Sequence, residues 1–317
     1  MTDPRIESAY RYCESVTRKH AKSFYFAARF LPKVKQPPVF AIYAFCRHVD
    51  DEIDEAGFKT EDEAVRSVEE WRTRLDSVYE SGEVSRADVS NRKEATSQSA
   101  RDKALEDVFV AWRHMLTEYD VPREIPLDLI RGVLMDTYKK RYATYDEIYD
   151  YSYHVASTVG LMTSEILGYS DPKALEYAER MGVGMQLTNI LRDVKEDAGM
   201  GRIYLPKEDL DEFGVSENQI LNGDADRNFK ELMEFQVERA RSLYEEGEKG
   251  IPYLDADSRF TVLLASRIYG RILDEIEGLD YDVFSTRAHT TKAQKLFSMP
   301  QIWLESKRMR IEQPYAE

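Results

Sequence analysis

Apolar residues recur along this chain at the three- and four-residue spacing that is typical of amphipathic helices. On this pattern we predict ten helices, at residues 10–30, 38–54, 63–81, 103–119, 125–143, 145–167, 172–197, 229–246, 257–277 and 290–306. No sustained alternation of apolar and polar residues is bounded by turn residues, so a β-sheet is not expected. The pattern therefore predicts an all-α fold.

Residues 82–102 interrupt the helical pattern with a polar segment that contains almost no large apolar side chains. Such a composition is typical of an exposed, mobile loop. A length of 317 residues would allow two domains of about 150 residues each. However, two acidic motifs lie on either side of the segment and have to meet if they act together. We therefore predict a single domain over residues 1–317, with a mobile loop at 82–102.

The two acidic motifs each place aspartates four residues apart. The first is Tyr43-Ala-Phe-Cys-Arg47-His-Val-Asp50-Asp-Glu-Ile-Asp54. On an ideal helix, its Tyr43, Arg47, Asp50 and Asp54 share a stripe about 60° wide, and the remaining positions are mostly apolar. Unpaired carboxylates are costly to bury, and a bound metal ion offsets that cost. The alternative is a solvated stripe of surface charge in which Arg47 pairs with Asp50 or Asp51.

The second motif is Gln186-Leu-Thr-Asn189-Ile-Leu-Arg192-Asp193-Val-Lys-Glu-Asp197. If the helix is continuous, Gln186, Asn189, Asp193 and Asp197 project from one side of it. Carboxylate and carboxamide oxygens are the ligands that Mg²⁺ prefers. Arg192 flanks them, and its planar guanidinium suits a diphosphate oxygen. Two motifs with matched spacing make surface charge a weaker explanation than it is for either one alone.

Charge and composition narrow the functional classes. The net charge of −15 excludes a typical nucleic-acid binder, and it allows a phosphate substrate only if cations neutralise the acidic motifs. Two cysteines and five histidines show no zinc-type spacing. No apolar run approaches the roughly 18 residues that cross a bilayer, and the first residues lack the apolar core of a signal peptide. A cytoplasmic protein is expected.

Together these residues resemble the squalene/phytoene synthases, which join two prenyl diphosphates head to head. The resemblance spans residues 20–296 and rests on the segments His20-Ala-Lys-Ser-Phe24, Tyr43-Ala-Phe-Cys-Arg47, Asp50-Asp-Glu-Ile-Asp54, Tyr153-His-Val-Ala-Ser-Thr-Val-Gly160, Gln186-Leu-Thr-Asn-Ile-Leu-Arg-Asp193, Arg202-Ile-Tyr-Leu-Pro206 and Ser266-Arg-Ile-Tyr269. One departure is Ser157, where relatives often have glycine. The resemblance implies an isoprenoid-synthase bundle of helices around a central hydrophobic cavity.

The resemblance also implies the residues of the active site. The metal ligands would be Asp50, Asp54, Asn189, Asp193 and Asp197. The groups that contact the diphosphate would be His20, Ser23, Tyr43, Arg47, Gln186, Arg192 and Tyr269. The four aspartates, Arg47 and Tyr43 would be the catalytic set. The aromatic candidates to line the cavity are Phe24, Phe26, Phe40, Tyr43, Phe45, Tyr138 and Tyr269.

By this resemblance the protein is expected to be a Mg²⁺-dependent prenyltransferase, with Mn²⁺ as a substitute metal. It would condense two geranylgeranyl diphosphates through a cyclopropylcarbinyl diphosphate to phytoene, in carotenoid biosynthesis. A C30 synthase remains the alternative, using farnesyl diphosphate to make dehydrosqualene, presqualene diphosphate or squalene for carotenoids or hopanoids. No nicotinamide motif is evident, so NADPH is not expected.

Two other classes remain open. Asp50-Asp51-x-x-Asp54 also fits head-to-tail elongating enzymes and terpene cyclases, but Tyr43 with Arg47 and the 202–206 segment favour head-to-head chemistry. A non-catalytic relative that binds lipids or aids assembly is the alternative of another class. The expected partners are prenyl diphosphates and no nucleic acid. The apolar product also suggests transient contact with the inner membrane surface or with a downstream desaturase, although no basic amphipathic anchor is evident in the sequence.

Overall fold

Helices make up nearly all regular structure in the computed structural model, which describes residues 3–56, 61–79 and 100–309. The α-helices of these ranges are α1 Pro4–His20, α2 Lys22–Ala28, α3 Gln36–Ala56, α4 Glu61–Tyr79, α5 Ala100–Met115, α6 Glu124–Tyr138, α7 Tyr145–Ser152, α8 Thr158–Leu167, α9 Lys173–Arg192, α10 Val194–Gly199, α11 Lys207–Glu212, α12 Glu217–Asn222, α13 Arg227–Glu248, α14 Arg259–Gly278 and α15 Lys292–Arg308. A π-helical turn, Tyr153–Ser157, joins α7 to α8. Over the same ranges, β structure is limited to two isolated bridges. The all-α prediction is confirmed.

Three predicted helices are wrong in one respect, because each is interrupted in the structure. The helix predicted over 10–30 is α1 and α2, separated at Ala21 with φ −124° and ψ 64°. The helix over 145–167 passes through the π-helical turn, and the one over 172–197 breaks at Asp193 with φ −105° and ψ 14°. Apolar spacing continues across all three breaks, so periodicity alone does not reveal them.

Other boundaries also differ from the prediction. The helix predicted over 125–143 ends at Tyr138, and the short helices α11 and α12 were not predicted. Helix α5 begins at Ala100, so the last three residues of the predicted 82–102 loop are helical. The rest of that predicted loop lies outside the described residues.

Three groups of buried apolar side chains form the core. The first lies between α1, α3, α4, α5, α6 and α8, where the Phe45 and Trp112 ring centroids are 4.5 Å apart. The second surrounds α9, which packs against α8, α13 and α14. A third, smaller group lies between α2, α14 and α15. Thus the first acidic motif lies on a helix of the first group, and the second motif begins on α9, the central helix of the second group, and ends on α10. None of the described helices is long and apolar enough to cross a membrane.

The π-helical turn and α9 approach each other closely at Gly182. A Cβ atom at Gly182 would lie 2.5 Å from Cα of Ser157 and 2.8 Å from its backbone nitrogen. The buried Ser157 hydroxyl donates to the Glu179 carbonyl oxygen at 2.6 Å. The serine that replaces the expected glycine therefore faces α9, one turn before Gln186, and ties the two segments together.

A buried lysine joins three distant segments of the chain. Lys35, just before α3, donates from Nζ to the Leu167 carbonyl oxygen at 2.7 Å and to Asp257 Oδ1 at 2.8 Å. The same Nζ is 3.3 Å from Asp255 Oδ2 and 3.2 Å from Ser258 Oγ. One ammonium group thus links the start of α3 to the end of α8 and the start of α14. Charge-assisted bonds of this kind are among the stronger polar contacts in a fold.

Candidate active site

Helix α3 presents the first acidic motif together with its arginine. Arg47 Nη1 is 2.8 Å from Asp50 Oδ2, and its Nη2 contacts Asp51. Among the described residues, the buried Nε of Arg47 has no hydrogen-bond partner. A buried donor of this type needs an acceptor, and a diphosphate oxygen would supply one. Asp54 continues the helix, but its side chain lies outside the described residues.

The end of α1 and the start of α2 lie beside this helix. The His20 pKa is lowered by partial burial and by the positive charges of Arg47 and Lys19, while Asp51 acts in the opposite direction. Ser23 is partly buried on α2, and the next residue, Phe24, stacks on Tyr43 with ring centroids 5.7 Å apart. The predicted residues His20 and Tyr43 therefore lie close to Arg47.

The second motif is split by the break at Asp193. Gln186 and Asn189 lie on α9, and the Asn189 side chain donates to Gln186 Oε1 at 3.2 Å. Arg192 pairs with the adjacent Asp193 through two bonds, Nε to Oδ1 at 2.8 Å and Nη2 to Oδ2 at 2.5 Å. Successive residues of a regular helix point about 100° apart and do not face each other. The non-helical backbone at Asp193 allows this pairing, so the assumption of a continuous helix through Asp197 is wrong.

Arg287 is a contact of the second motif that sequence reasoning missed. Its Nε and Nη2 atoms lie 2.8 and 2.7 Å from Asp193 Oδ1, and its Nε is 3.5 Å from Glu196. It follows α14 in a segment with no helical spacing, more than ninety positions from its partner. An isolated arginine in such a segment gives no local signal of its role. Asp193 is thus held between two guanidinium groups.

Asp197 lies in an acidic, partly buried environment. Burial raises its pKa to about 7, and the charges of Asp193, Asp136 and Glu196 act in the same direction while Arg202 opposes them. Asp136, on α6, was not predicted. Its carboxylate accepts from the Tyr204 hydroxyl at 2.7 Å and from the Tyr151 hydroxyl at 2.9 Å. A carboxylate crowded by other carboxylates in this way favours a nearby cation.

Tyr269 lies close enough to both acidic motifs to interact electrostatically with their residues. Burial raises the pKa of Tyr269, Arg192 opposes that rise and Asp193 adds to it. Burial raises the pKa of Tyr43 to about 12, Arg47 opposes that rise, and Tyr269 and Asp50 add to it. Tyr269 therefore interacts with residues of both acidic motifs. Both phenols remain protonated at neutral pH, so each is a hydrogen-bond donor rather than a base.

The residues of the site carry the type of oxygen ligand that a hard divalent cation prefers. Asp50, Asn189, Asp193 and Asp197 offer carboxylate and carboxamide oxygens, and burial together with neighbouring carboxylates raises the pKa of Asp197. In the described part of the chain, no three His, Cys, Asp or Glu side chains lie close enough together to hold a metal. Asp50 and Asp193 are instead paired with arginines. The ligand set Asp50, Asp54, Asn189, Asp193 and Asp197 therefore stays a prediction.

The aromatic candidates for the cavity separate into different environments. Phe24, Tyr43 and Tyr269 lie at the site, whereas Phe40 and Phe45 are buried in the first core group and Tyr138 is exposed. A surface cavity of about 450 Å³ is lined by Asp146, Tyr149, Asp150, Tyr153 and Glu179 and contains none of the predicted site residues. The central hydrophobic cavity stays a prediction.

Asp197→Asn is expected to stabilise the metal-free protein at pH 8 by about 2 kcal/mol. The folded-state pKa of Asp197 is raised from 3.8 to about 7, so its ionisation opposes folding. That group's contribution to stability is present below pH 4 and is lost as the pH rises through 7. The gain should therefore vanish near pH 4.

Urea unfolding in EDTA at both pH values measures this effect. The exposed Asp211, paired with Lys207 on α11, provides the control variant Asp211→Asn, which should change stability little at either pH. An Asp197→Asn protein that is no more stable than the parent at pH 8 would contradict the conclusion that the ionised Asp197 carboxylate destabilises the folded state.

Comparisons with known proteins agree with this geometry. The model of the squalene/phytoene synthase family matches residues 17–294. A 15-cis-phytoene synthase of Synechocystis sp. is 37% identical over 313 residues, which cover 95% of this chain and 86% of that protein. A 15-cis-phytoene synthase of Synechococcus elongatus is 35% identical over 307 residues, which cover 93% of this chain and 92% of that protein.

A solved structure extends the likeness to the fold. The crystal structure of a dehydrosqualene synthase in complex with a ligand superposes with a TM-score of 0.82 at 30% identity, and the match covers 96% of this chain and 98% of that chain. The predicted fold and the resemblance seen in the motifs are both confirmed. The chain belongs to the squalene/phytoene synthase family.

Proposed function

We propose that this protein joins two molecules of geranylgeranyl diphosphate head to head to give phytoene. The observation that carries the proposal is the 35–37% identity with two cyanobacterial 15-cis-phytoene synthases over 93–95% of the chain. The gathering of arginines and aspartates around Asp193 and Asp50 supports a diphosphate substrate. The second candidate is a C30 synthase that uses farnesyl diphosphate, and the superposition on a dehydrosqualene synthase favours it.

Three arginines would hold the diphosphate. Arg47, Arg192 and Arg287 each contact an aspartate of the motifs, so their guanidinium groups are already positioned where anionic oxygens gather. Arginine binds phosphate oxygens in a planar, two-point geometry. Fixed positive charge at the leaving diphosphate stabilises the negative charge that develops as the allylic C–O bond breaks. His20, Ser23 and Gln186 complete the proposed contacts.

The metal and the aromatic residues have separate roles in this proposal. Mg²⁺, when bound by Asp50, Asp54, Asn189, Asp193 and Asp197, supplies Lewis-acid stabilisation of the leaving diphosphate. Phe24, Tyr43 and Tyr269 would exclude water from the carbocation, and their rings stabilise positive charge. Because both phenols are held protonated, neither accepts the final proton, and the departing diphosphate is the proposed acceptor. NADPH has no part in phytoene formation.

Product analysis tests the choice of substrate. The protein should convert geranylgeranyl diphosphate to a C40 hydrocarbon, with or without NADPH, and should convert farnesyl diphosphate more slowly. A C30 product from farnesyl diphosphate as the dominant activity would favour the second candidate. A longer diphosphate or a cyclic terpene would overturn head-to-head chemistry, and no turnover with either substrate would favour a non-catalytic relative.

Removal of divalent metal is expected to abolish turnover. After treatment with EDTA, activity should fall at least about a hundredfold and return on addition of excess Mg²⁺, because the acidic motifs repel a diphosphate without cations. Added Ca²⁺ at equal concentration serves as a control, since its larger size and looser coordination suit the same site less well. Unchanged turnover in the chelator would remove the metal from the proposal.

The proposed chemistry also bears on location. The substrates are amphiphilic and the product is a hydrocarbon, so we propose that the protein contacts the inner membrane surface transiently and passes its product to a membrane-bound desaturase. One chain of residues 1–317 forms the proposed catalytic domain.

A further inference from the structure

Helix α15 exposes apolar side chains on its outer side and on one flank. Its inner side packs on α14 and the third core group through Met299 and Ile302. On the outer side Phe297 is 86% exposed and Leu304 is 48% exposed. Trp303, also 48% exposed, lies on one flank of the helix, about 100° from Leu304. Phe297 and Leu304 are seven residues apart and so lie on the same side of the helix. Exposed large apolar side chains of this kind are typical of a surface that contacts another molecule.

A second exposed apolar segment packs on the same core group as α15. Between α2 and α3, Phe30 is 41% exposed and Val34 is 69% exposed. The Phe30 ring lies 5.3 Å from the Phe260 ring, and Phe260 packs against the same core group as Ile302. Since Arg271 and Arg267 of α14 contact Gln294 and Glu305 respectively, α15 runs antiparallel to α14, and its end approaches Phe260.

The charge of both segments is opposite to that of the whole protein. The chain carries a net charge of −15, yet residues 29–34 contain Arg29 and Lys33 and no acidic residue. Helix α15 contains four basic residues and one acidic residue. Arg29 and Lys33 are exposed beside Phe30 and Val34, and Lys307 and Arg308 are exposed beside Trp303. Lys307 Nζ lies 5.9 Å from the Trp303 ring centroid.

From these observations we propose that residues 29–34 and the outer side and flank of α15, the basic aromatic face, dock this protein on an anionic lipid bilayer. Exposed Trp and Phe beside Lys and Arg are the composition of helices that lie in the membrane interface. The basic groups select anionic lipid, since each is worth roughly 1 kcal/mol near such a surface. The inference rests on the proposed function and names the surface and the lipid charge of its membrane contact.

Docking at the basic aromatic face would serve release of the hydrocarbon product into lipid. The third core group lies beneath it and reaches Met185, the residue before Gln186 of the proposed site. Helix α2 carries Ser23 and Phe24 of that site and packs against α14. A bilayer on the basic aromatic face would therefore lie next to the apolar side chains that adjoin the substrate contacts. A hydrocarbon product could pass from there into lipid with little exposure to water.

Vesicle co-sedimentation without substrate tests the docking surface. The protein should bind vesicles that contain phosphatidylglycerol at least about tenfold more tightly than vesicles of phosphatidylcholine alone. The double variant Phe297→Ser/Trp303→Ser should bind the anionic vesicles at least about tenfold more weakly. Arg29→Glu/Lys33→Glu should reduce the preference for anionic lipid about tenfold or more. Leu221→Ser on α12, at a leucine that is 43% exposed, is the matched control and should bind as the parent does.

The outcomes separate this inference from the proposed function. Turnover in detergent micelles should be the same in the parent and in Phe297→Ser/Trp303→Ser, so loss of vesicle binding alone supports the surface. Absence of binding to anionic vesicles by the parent, or equal binding by parent and both double variants, would overturn it. A parent dimer that the same substitutions convert to a monomer in light scattering, without vesicle binding, would assign the face to a second copy of the chain and also overturn it.

Discussion

Asp193→Asn is expected to reduce turnover of prenyl diphosphate about a hundredfold to a thousandfold while leaving the helical content unchanged. Asp193 accepts two bonds from Arg192 and contacts Arg287, so its charge holds both guanidinium groups at the proposed diphosphate position. The amide is nearly the same size but cannot neutralise two arginines or bind Mg²⁺ as strongly. Asp50→Asn should act similarly, because Asp50 holds Arg47.

Steady-state kinetics and circular dichroism measure these effects together. Asp211→Asn, on the exposed side of α11, is the matched control and should retain full activity. Full activity in either Asp193→Asn or Asp50→Asn would remove the acidic motifs from the reaction. Lost activity together with lost helical signal would instead indicate a folding role for the aspartate.

Lys35→Met is expected to lower the free energy of unfolding by about 3 kcal/mol. The substitution keeps much of the side chain's volume but removes the ammonium that pairs with Asp255 and Asp257. It also removes one of the two donors to the Leu167 carbonyl oxygen, which keeps the bond from Ser258 Oγ at 2.9 Å. Removal of one partner from a buried ion pair is costly. Asp255 and Asp257 are about half exposed, so water can solvate them and limit the loss.

Urea denaturation gives the size of this loss. Lys207→Met is the control, since Lys207 pairs with Asp211 in an exposed i,i+4 contact that contributes at most about 0.5 kcal/mol. A Lys35→Met protein as stable as that control would show that the ammonium does not join the three segments energetically.

The sequence predicts the helices well because burial of one face imposes a period near 3.6 residues wherever a helix packs. It fails at Ala21 and Asp193, where the apolar spacing continues although the backbone leaves the helix. The break at Asp193 accompanies a tertiary contact, since Arg287 from beyond α14 pairs with the Asp193 carboxylate, as the neighbouring Arg192 also does. Local spacing contains no information about such a distant partner.

The candidate site could also be predicted only in part from the sequence. Tyr43, Arg47 and Asp50 could be placed on one face from their spacing, and the structure brings Arg47 and Asp50 within 2.8 Å. Asp51 also contacts Arg47, as the i,i+4 spacing allows and as the alternative of a surface ion pair predicts. One guanidinium thus pairs with two carboxylates, at the i+3 and i+4 positions. Asp136 and Arg287 act only through the folded arrangement.

The basic aromatic face was missed for a related reason. Its two parts are separated by more than 250 positions, and each is too short and too mixed in composition to read as a membrane anchor. The packing of α2 and α15 against α14 brings both parts to the same helix, which their positions in the sequence do not reveal. A chain that is strongly acidic overall can thus carry a local surface of opposite charge.

The close approach at Gly182 has a consequence for engineering and for natural variation. Because a methyl group there would meet the backbone of Ser157 rather than a movable side chain, no rotamer change can accommodate it. A mutational scan should therefore find Gly182 as intolerant as the aspartates, although it lies outside the set of proposed ligands. Suppressors of Gly182→Ala should arise in the π-helical turn, by restoring the spacing of two backbones, and not among the groups that hold the diphosphate.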